Sequence, residues 1–450
     1  MIRRWREIER WIENGTAEAR LSGYPLLPLS DLLTQRHETV HAEGTLCDWQ
    51  PITIKFSGEV LPRDRSEPFK GAMFAAYPGD LVFSKINARN GAVGLIPDTI
   101  AKAVVTSEYP VFIPNAEKLR PAYLNYLLRA EHFKADLQSK ASGTSGRKRV
   151  TPDGFLRLEV PVPSLDEQDA LIAGYAADLR RAESLEQEAE AIERAGWQAF
   201  EKALGVSPPP PLPDRPVFVA RFRDVERWSH ESILRASALG AVYTPSWPIN
   251  RLGDLVDDLE NGWSPKCHSH PARPGKWGVL KLGAVSFGVF NSHENKELPA
   301  NLKPRPEYEI RNGDVLISRA NVVRYVGACA YVDFTPSKLM LCDKIFRVRF
   351  QQNGELLPRF LTEVMKLHSV REQIESRLTG TSPTMKNISK PALMNLSFPL
   401  PDKVTQQLLI DRLATARKEA VAKRTEAAIL RQSAWTAFES ALFTVGEAAA

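Results

Sequence analysis

The sequence predicts an α+β protein that is built twice: two tandem mixed α/β domains, each followed by a long helix, related as a pseudo-two-fold repeat. Three observations predict it. Landmarks recur in the same order in both halves of the 450 residues, and self-similarity at a long period is the signature of repeated units. Each half contains short β-type runs punctuated by turn residues. Each half then closes on a long stretch rich in Ala, Leu, Glu, Arg and Gln, with clear start and stop signals for a helix.

The duplication runs along the chain. Trp5-Arg6-Glu7-Ile8-Glu9-Arg10-Trp11 recurs as Phe222-Arg223-Asp224-Val225-Glu226-Arg227-Trp228. Gly79-Asp80-Leu81-Val82-Phe83-Ser84 returns as Gly313-Asp314-Val315-Leu316-Ile317-Ser318, and Gly143-Thr144-Ser145 as Gly380-Thr381-Ser382. The separation between copies drifts in the front of each half, so loops there differ in length. From Leu158 onward it is constant: Gln168 matches Gln406, and Trp197-x-Ala199-Phe200-Glu201-x-Ala203-Leu204 matches Trp435-x-Ala437-Phe438-Glu439-x-Ala441-Leu442. Each half is therefore a variable block followed by a block of fixed length. The boundaries expected are 1–160 for the first α/β domain with an N-terminal helical segment, 161–206 for the first long helix and 207–246 for a Pro-rich linker and the restart of the repeat. The second domain follows at 247–398 and the second long helix at 399–450.

The fixed blocks read as helices. Pro161 and Pro163 bar helix before about Ser164, because proline lacks an N–H and restricts the residue before it. Ser164 is a good N-cap with Glu167 in the capping-box position. Tyr175, Leu179, Ala182, Leu185, Ala189, Ile192 and Gly196 recur at three-and-four spacing, an amphipathic seam. Gly205 and the Pro208–Pro211 run stop the helix. At about 1.5 Å per residue, each helix extends roughly 60 Å. Two helices of matched length are expected to pair with each other, with Arg417 and Lys423 replacing the seam residues Leu179 and Leu185 and so shifting the face that the second helix uses.

The variable blocks carry strand signals at Leu81–Ser84, Val104-Val105, Val111–Ile113, Val315–Ser318 and Ile345–Phe350. Each block also predicts one helix opened by proline, Pro121 to about Ser139 and Pro358 to about Arg377.

Three features of these blocks suit contact with nucleic acid. Lys85, Asn87 and Arg89 follow one predicted strand, and Arg319, Asn321 and Arg324 follow its counterpart. Arg and Lys read guanine edges or hold phosphate, and Asn reads adenine; a solvated hairpin is the plainer reading. Thr144, Ser145, Arg147, Lys148 and Arg149, with counterparts Thr381, Ser382 and Lys386, combine small hydroxyl residues and cations in a loop suited to phosphate, or simply link two elements. Trp263, Ser264 and Lys266 begin a segment that runs through Cys267-His268-Ser269-His270. No second ligand pair stands at finger-like spacing, so a turn beside DNA is expected there and no metal.

Composition narrows the function. Hydrophobic residues make up 43% of the chain, enough for real cores. Mean hydropathy is −0.27, and no apolar run reaches the roughly 20 residues of a membrane span. The N-terminus has no apolar secretory segment, and four scattered cysteines suit a reducing, cytoplasmic compartment. A net charge of +5 permits nucleic-acid binding without demonstrating it. No amino-methyltransferase signature, phosphate-cradling loop or well-spaced nuclease acid set is present, although Glu294-Asn295-Lys296 suggests part of one. No catalytic residue is expected.

These pieces, in this order and twice over, resemble the specificity subunit of type I restriction–modification systems. The resemblance rests on the paired Gly-Asp strands, on Gly-Thr-Ser followed by Lys386-Asn387-Ile388-Ser389, and on Val160-Pro161-Val162-Pro163-Ser164-Leu165-Asp166-Glu167-Gln168 with its copy from Phe398 to Gln406. It covers nearly the whole chain. It implies two target-recognition domains joined by an antiparallel coiled coil, each domain reading one half of a split, asymmetric site in double-stranded DNA. It also implies methyltransferase subunits and restriction/translocase subunits as partners. S-adenosylmethionine, ATP and Mg are then expected in those partners, with no cofactor in this chain. The same architecture would suit a modification-only or other phage-defence system, or a coiled-coil assembly adaptor.

Overall fold

Proline and short apolar runs keep the strands brief, and the domains are built from many of them. The structure, a computed structural model, describes residues 22–40, 48–64, 72–139, 149–206, 246–380 and 385–443. The first domain contains β1 (Leu26–Pro28), β2 (Leu33–Arg36), β3 (Thr39–Val40), β4 (Gln50–Ile54), β5 (Val60–Pro62), β6 (Met73–Ala76), β7 (Leu81–Phe83), β8 (Val93–Leu95), β9 (Ala103–Thr106) and β10 (Val111–Pro114). Helices α1 (Pro121–Leu127), α2 (Glu131–Ser139) and α3 (Pro152–Leu156), strand β11 (Glu159–Pro161) and the long helix α4 (Leu165–Leu204) follow. The second domain contains β12 (Ile249–Arg251), α5 (Leu252–Leu255), β13 (Val256–Asn261), β14 (Gly278–Leu280), β15 (Asn295–Glu297), β16 (Val315–Ser318), β17 (Ala320–Asn321), β18 (Cys329–Tyr331), β19 (Leu339–Met340) and β20 (Ile345–Phe350). It ends with α6 (Pro358–Val364), α7 (His368–Glu375), β21 (Lys386–Asn387), α8 (Lys390–Met394), β22 (Ser397–Pro399) and the long helix α9 (Lys403–Leu442).

Both domains share one frame. A four-stranded sheet runs β2-β10-β7-β8 in the first and β13-β20-β16-β18 in the second. Each Gly-Asp landmark forms the turn into the third strand of that order, with Gly79 at φ 84° and Gly313 at φ 94°, a conformation glycine adopts without strain. A short antiparallel pair closes each domain, β1 with β11 and β12 with β22. The domains differ in the remaining sheet: five strands, β3-β6-β9-β4-β5, in the first, and three, β15-β14-β19, in the second. The drift in landmark separation falls in these parts.

The sequence predicts one helix from Pro121 to about Ser139 and another from Pro358 to about Arg377. The structure corrects both. Each breaks into two, α1 with α2 and α6 with α7. Each break holds two buried apolar residues, Leu128 with Ala130 and Met365 with Leu367, on either side of a half-buried cation, Arg129 or Lys366. Packing against the core turns the chain there, overriding a continuous helical pattern that propensity alone would favour.

The long helices begin and end where proline, caps and glycine dictate. Ser164 and Glu167 form the reciprocal capping box, with Ser164 N donating to Glu167 Oε2 at 2.8 Å. At α9 the cap chemistry changes, and Thr405 N donates to Asp402 Oδ1 at 2.9 Å. One residue is used identically in both repeats. Gln168 and Gln406 are fully buried. Gln168 accepts from Arg120 N at 2.8 Å and donates to Lys118 O and Pro163 O. Gln406 accepts from Leu357 N at 2.9 Å and donates to Glu355 O and Pro401 O. Each glutamine ties the first turn of a long helix to the loop before a short one, satisfying backbone groups that would otherwise be buried unpaired.

Contacts divide the chain into two units: described residues up to Glu186 with those from Arg424 on, and Gln187–Lys423. In the first, Phe438 and Leu442 of α9 join the core of Phe83, Phe112, Tyr123, Leu124 and Phe155. In the second, Phe200 and Leu204 of α4 join Ile317, Phe346, Phe360 and Phe398. The repeated Trp-x-Ala-Phe-Glu-x-Ala-Leu motif thus completes the core of the opposite repeat's domain, each buried Phe or Leu contributing about 1.5–3 kcal/mol. Each unit pairs the start of one long helix with the end of the other, so α4 and α9 are antiparallel. The fold is two tandem α/β domains joined by two long antiparallel helices.

The seam is made of small side chains. Ala182, Leu185 and Ala427 form a buried cluster in the first unit. In the second, a Cβ added at Gly196 would come within 2.8 Å of the Ala416 Cβ. On α9 the buried positions Leu413, Ala420, Ala427 and Ala434 recur every heptad. These positions are the counterparts of Tyr175, Ala182, Ala189 and Gly196 in α4, so the second helix keeps the same seam and not the shifted face the sequence predicts; Arg417 and Lys423 flank it and form ion pairs. Arg417 binds Glu363 through two hydrogen bonds of 2.7 Å, and Lys423 Nζ lies 2.6 Å from Glu188.

Candidate nucleic-acid interface

In both domains the loop singled out by the sequence follows the third strand of the shared sheet. It connects β7 to β8 in the first domain and runs from β16 toward β18 in the second. Its first residue is fixed by the same backbone bonds. Lys85 N donates to Glu108 O at 3.0 Å and Lys85 O accepts from Val150 N. Arg319 N donates to Lys344 O at 2.9 Å and Arg319 O accepts from Ile388 N. The segment that follows the Gly-Thr-Ser landmark therefore docks beside this loop in each repeat.

The second domain gathers its predicted residues. β17 pairs antiparallel with β21, placing Asn321 opposite Lys386. The Arg319 guanidinium donates to Asp343 O at 3.3 Å and lies over the Phe346 ring. Asp343 also holds the predicted turn: its N donates to Ser264 Oγ at 3.1 Å, and the Ser264 hydroxyl donates to its carboxylate. Trp263 N donates to Leu341 O, and the Arg305 guanidinium stacks 4.3 Å from the Trp263 ring centre. Arg324 is exposed on the same loop, its guanidinium beside the Tyr325 ring.

The first domain is arranged less openly. Lys85, Asn87 and Arg89 are half-buried, and Ala88–Asn90 form a single 3-10 turn. Arg89 Nε is buried without a hydrogen bond among the described residues. Arg149 is exposed, 3.5 Å from Glu108. Lys85 borders a cavity of about 160 Å³ shared with Arg36, His37 and Tyr109. The Arg36 guanidinium is held above its usual pKa mainly by its hydrogen bonds to Asp80. Thr144, Ser145, Arg147, Lys148, Thr381 and Ser382 lie outside the described residues.

Sequence reasoning missed the charges that surround the Trp263 turn. Lys266 lies in a groove of about 550 Å³ whose lining also includes Cys267, Lys281, Lys296 and Lys344. Lys281 stands in the segment Val279-Leu280-Lys281-Leu282-Gly283-Ala284-Val285. The Glu294-Asn295-Lys296 segment has structural duties. Glu294 pairs with Lys281 at 2.8 Å, and Asn295 accepts from Ala272 N and donates to Ser292 O. Next to it, Glu297 is bound by the Arg273 side chain and backbone, which hold its carboxyl down at about 2. The His268 and His270 rings stack 5.2 Å apart. Among the described residues no group of three or more His, Cys, Asp or Glu is placed to hold a metal, and no helix is long and apolar enough to cross a membrane.

This geometry agrees with what the chain is similar to. No family model matches it. The EcoEI type I restriction enzyme specificity subunit of Escherichia coli is 23% identical over 370 residues, which cover 69% of this chain and 62% of that protein. The chain is homologous to type I restriction enzyme specificity subunits. The StySPI specificity subunit of Salmonella potsdam is 21% identical over 330 residues, covering 71% and 63%. The aligned region thus spans just under two thirds of these relatives' own lengths. A solved chain described under complex assembly and conformational transition of the type I R-M system shares the fold, with a TM-score of 0.58, 17% identity and coverage of 94% of this chain and 98% of that one.

Proposed function

We propose that this chain is the DNA-specificity subunit of a type I restriction–modification complex, each domain reading one half of a bipartite, asymmetric site. The observation that carries this reading is the equivalence of the two loops. Lys85–Asn90 and Arg319–Arg324 leave the same strand of the same sheet, beside the same returning segment, in domains tied to a long helix by the same buried glutamine. Two equivalent cationic readers of different sequence suit two different half-sites. Arg319, Asn321 and Lys386 read or hold the DNA in one, and Lys85, Asn87 and Arg89 in the other. The chain itself performs no chemistry. Methyl transfer from S-adenosylmethionine and ATP- and Mg-dependent restriction belong to methyltransferase and translocase subunits that assemble on it.

In this reading α4 and α9 set the spacing between half-sites. Seven residues are nearly two helical turns, so an insertion of seven roughly keeps the seam in register. It lengthens a helix by about 10 Å, comparable to about three base pairs. Matched insertions near Glu188 and Glu426 should add spacer base pairs to the methylated site while the bases read in each half stay the same. Methylation mapping of the double insert measures this. A folded protein that methylates its original site with unchanged spacing refutes the reading.

A further inference from the structure

The groove beside the Trp263 turn has no role in base reading as described above, and its make-up is unusual for a structural cleft. Its walls come from three places. The β14–β15 hairpin sets Lys296 opposite Val279 and brings Lys281 N to Glu294 O at 2.9 Å. The Ser264–Cys267 segment is bound to that hairpin by His268 N donating to Glu297 O at 3.0 Å. The turn at Asp343 and Lys344 forms the third wall, the same turn that accepts from Arg319 and holds Ser264. The floor is apolar, with Val279, Leu280 and the buried Cys342.

The charge balance is one-sided. Four lysines face the groove. Glu294 offsets Lys281, and Asp343 lies 3.6 Å from Lys344. Lys266 and Lys296 are exposed and make no ion pair among the described residues. Uncompensated ammonium groups on a rigid hairpin, next to a base-reading loop, suit a polyanion running past that loop. Lysine is a point charge that holds phosphate without reading sequence. Its counterpart in the first domain, the β4–β5 hairpin beside the parallel strand β9, carries Lys55, which is paired with Glu59 at 2.9 Å.

We propose that the groove of Lys266, Lys281, Lys296 and Lys344 grips the sugar-phosphate backbone of duplex DNA beside the second half-site. The second domain then supplies a larger share of the sequence-independent affinity than the first. This rests on the DNA-specificity reading and adds an unequal division of labour to it.

The test uses the full chain and a random-sequence DNA duplex, titrated with salt. Each lost phosphate contact flattens the slope of log affinity against log salt by about 0.9. Lys266→Gln with Lys296→Gln should flatten it by about 2 and weaken binding about 50-fold at 0.1 M salt. The sequence methylated by the assembled complex should stay the same. A control of equal charge change, Lys276→Gln with Lys303→Gln, alters exposed lysines outside the groove and should leave the slope unchanged. Equal flattening in both pairs, or none in the groove pair, overturns the proposal. A second readout does not depend on charge substitution. In a Cys47→Ser background Cys267 is half-buried while Cys329 and Cys342 are buried, and duplex DNA should slow alkylation of Cys267. An alkylation rate indifferent to bound DNA also overturns it. A wild-type chain that binds no duplex at any salt overturns the DNA-specificity reading itself.

Discussion

Tyr126 in the first repeat and Glu363 in the second occupy the same step of the same short helix, α1 and α6, and they meet the long helices by opposite chemistry. Tyr126 packs edge-on to Tyr175 at 4.9 Å and to Phe438 at 5.8 Å, with Trp435 beside them. Glu363 binds Arg417 and Lys366 instead. The Gly-Asp turns diverge in the same way. Asp80 is the buried partner, 4% exposed, facing an Arg36 that is 20% exposed. In the second repeat the arginine is buried: Arg347 is 2% exposed and shares itself among Glu260, Asp314 and the carbonyls of Glu307 and Glu309. Identical backbone placement has thus been held by different side chains. The backbone frame, not any particular pair, is what the two repeats have in common.

The largest test of this contrast sets the two Gly-Asp turns against each other. Arg36→Met leaves the Asp80 carboxylate buried without a counter-charge, at a cost of about 3 kcal/mol. Asp314→Asn leaves Arg347 with Glu260 and should cost about 1 kcal/mol. Urea unfolding of the two variants measures the difference, and the reverse ranking would show that burial does not decide which partner matters.

The buried glutamines sharpen the common part of the comparison. Gln168→Leu and Gln406→Leu each strand one N–H and two carbonyls, so each should cost about 2 kcal/mol. The two values should agree to within about 0.5 kcal/mol, since the partners are equivalent. Clearly unequal costs, again from urea unfolding, would mean that the two helix junctions are not the same device.

The smallest effect is in pH. Burial alone would raise the Glu363 carboxyl, but the Arg417 and Lys366 side chains outweigh it and hold it below its usual value. A carboxyl lowered in the folded state contributes stability that is complete above the ordinary carboxylate range. That share is lost as pH falls through the lowered value. Acid should therefore loosen the second unit more than an otherwise identical Glu363→Gln protein. Unfolding measured from neutral pH downward, for both proteins, checks it. Parallel pH curves would remove Glu363 as the cause.

The long helices were legible because their signals are local. Proline, a capping side chain and a glycine stop lie within a few residues of each boundary. The first helix, expected to begin at about Ser164 and to stop at Gly205, runs Leu165–Leu204. Strands Val315–Ser318 and Ile345–Phe350 were legible for the same reason. The break between α1 and α2 was not, since it depends on what Leu128 and Ala130 touch. Nor was the groove: a lone lysine in a sequence looks the same whether it faces open water or three other lysines.

The sequence by itself determined the repeat, the two-domain plan and the length of both helices, because duplication and capping are written in neighbouring residues. The tertiary structure alone decided that Phe200 and Leu204 complete the second core while Phe438 and Leu442 complete the first. It also decided that Asn321 meets Lys386 across a two-residue ribbon, and that Arg36 and Arg347 serve equivalent turns from different strands. Those choices join residues far apart in the chain. An amphipathic pattern records that a face must be buried but carries no address for its partner. Only the packing of whole elements, which must fill space without voids, supplies one.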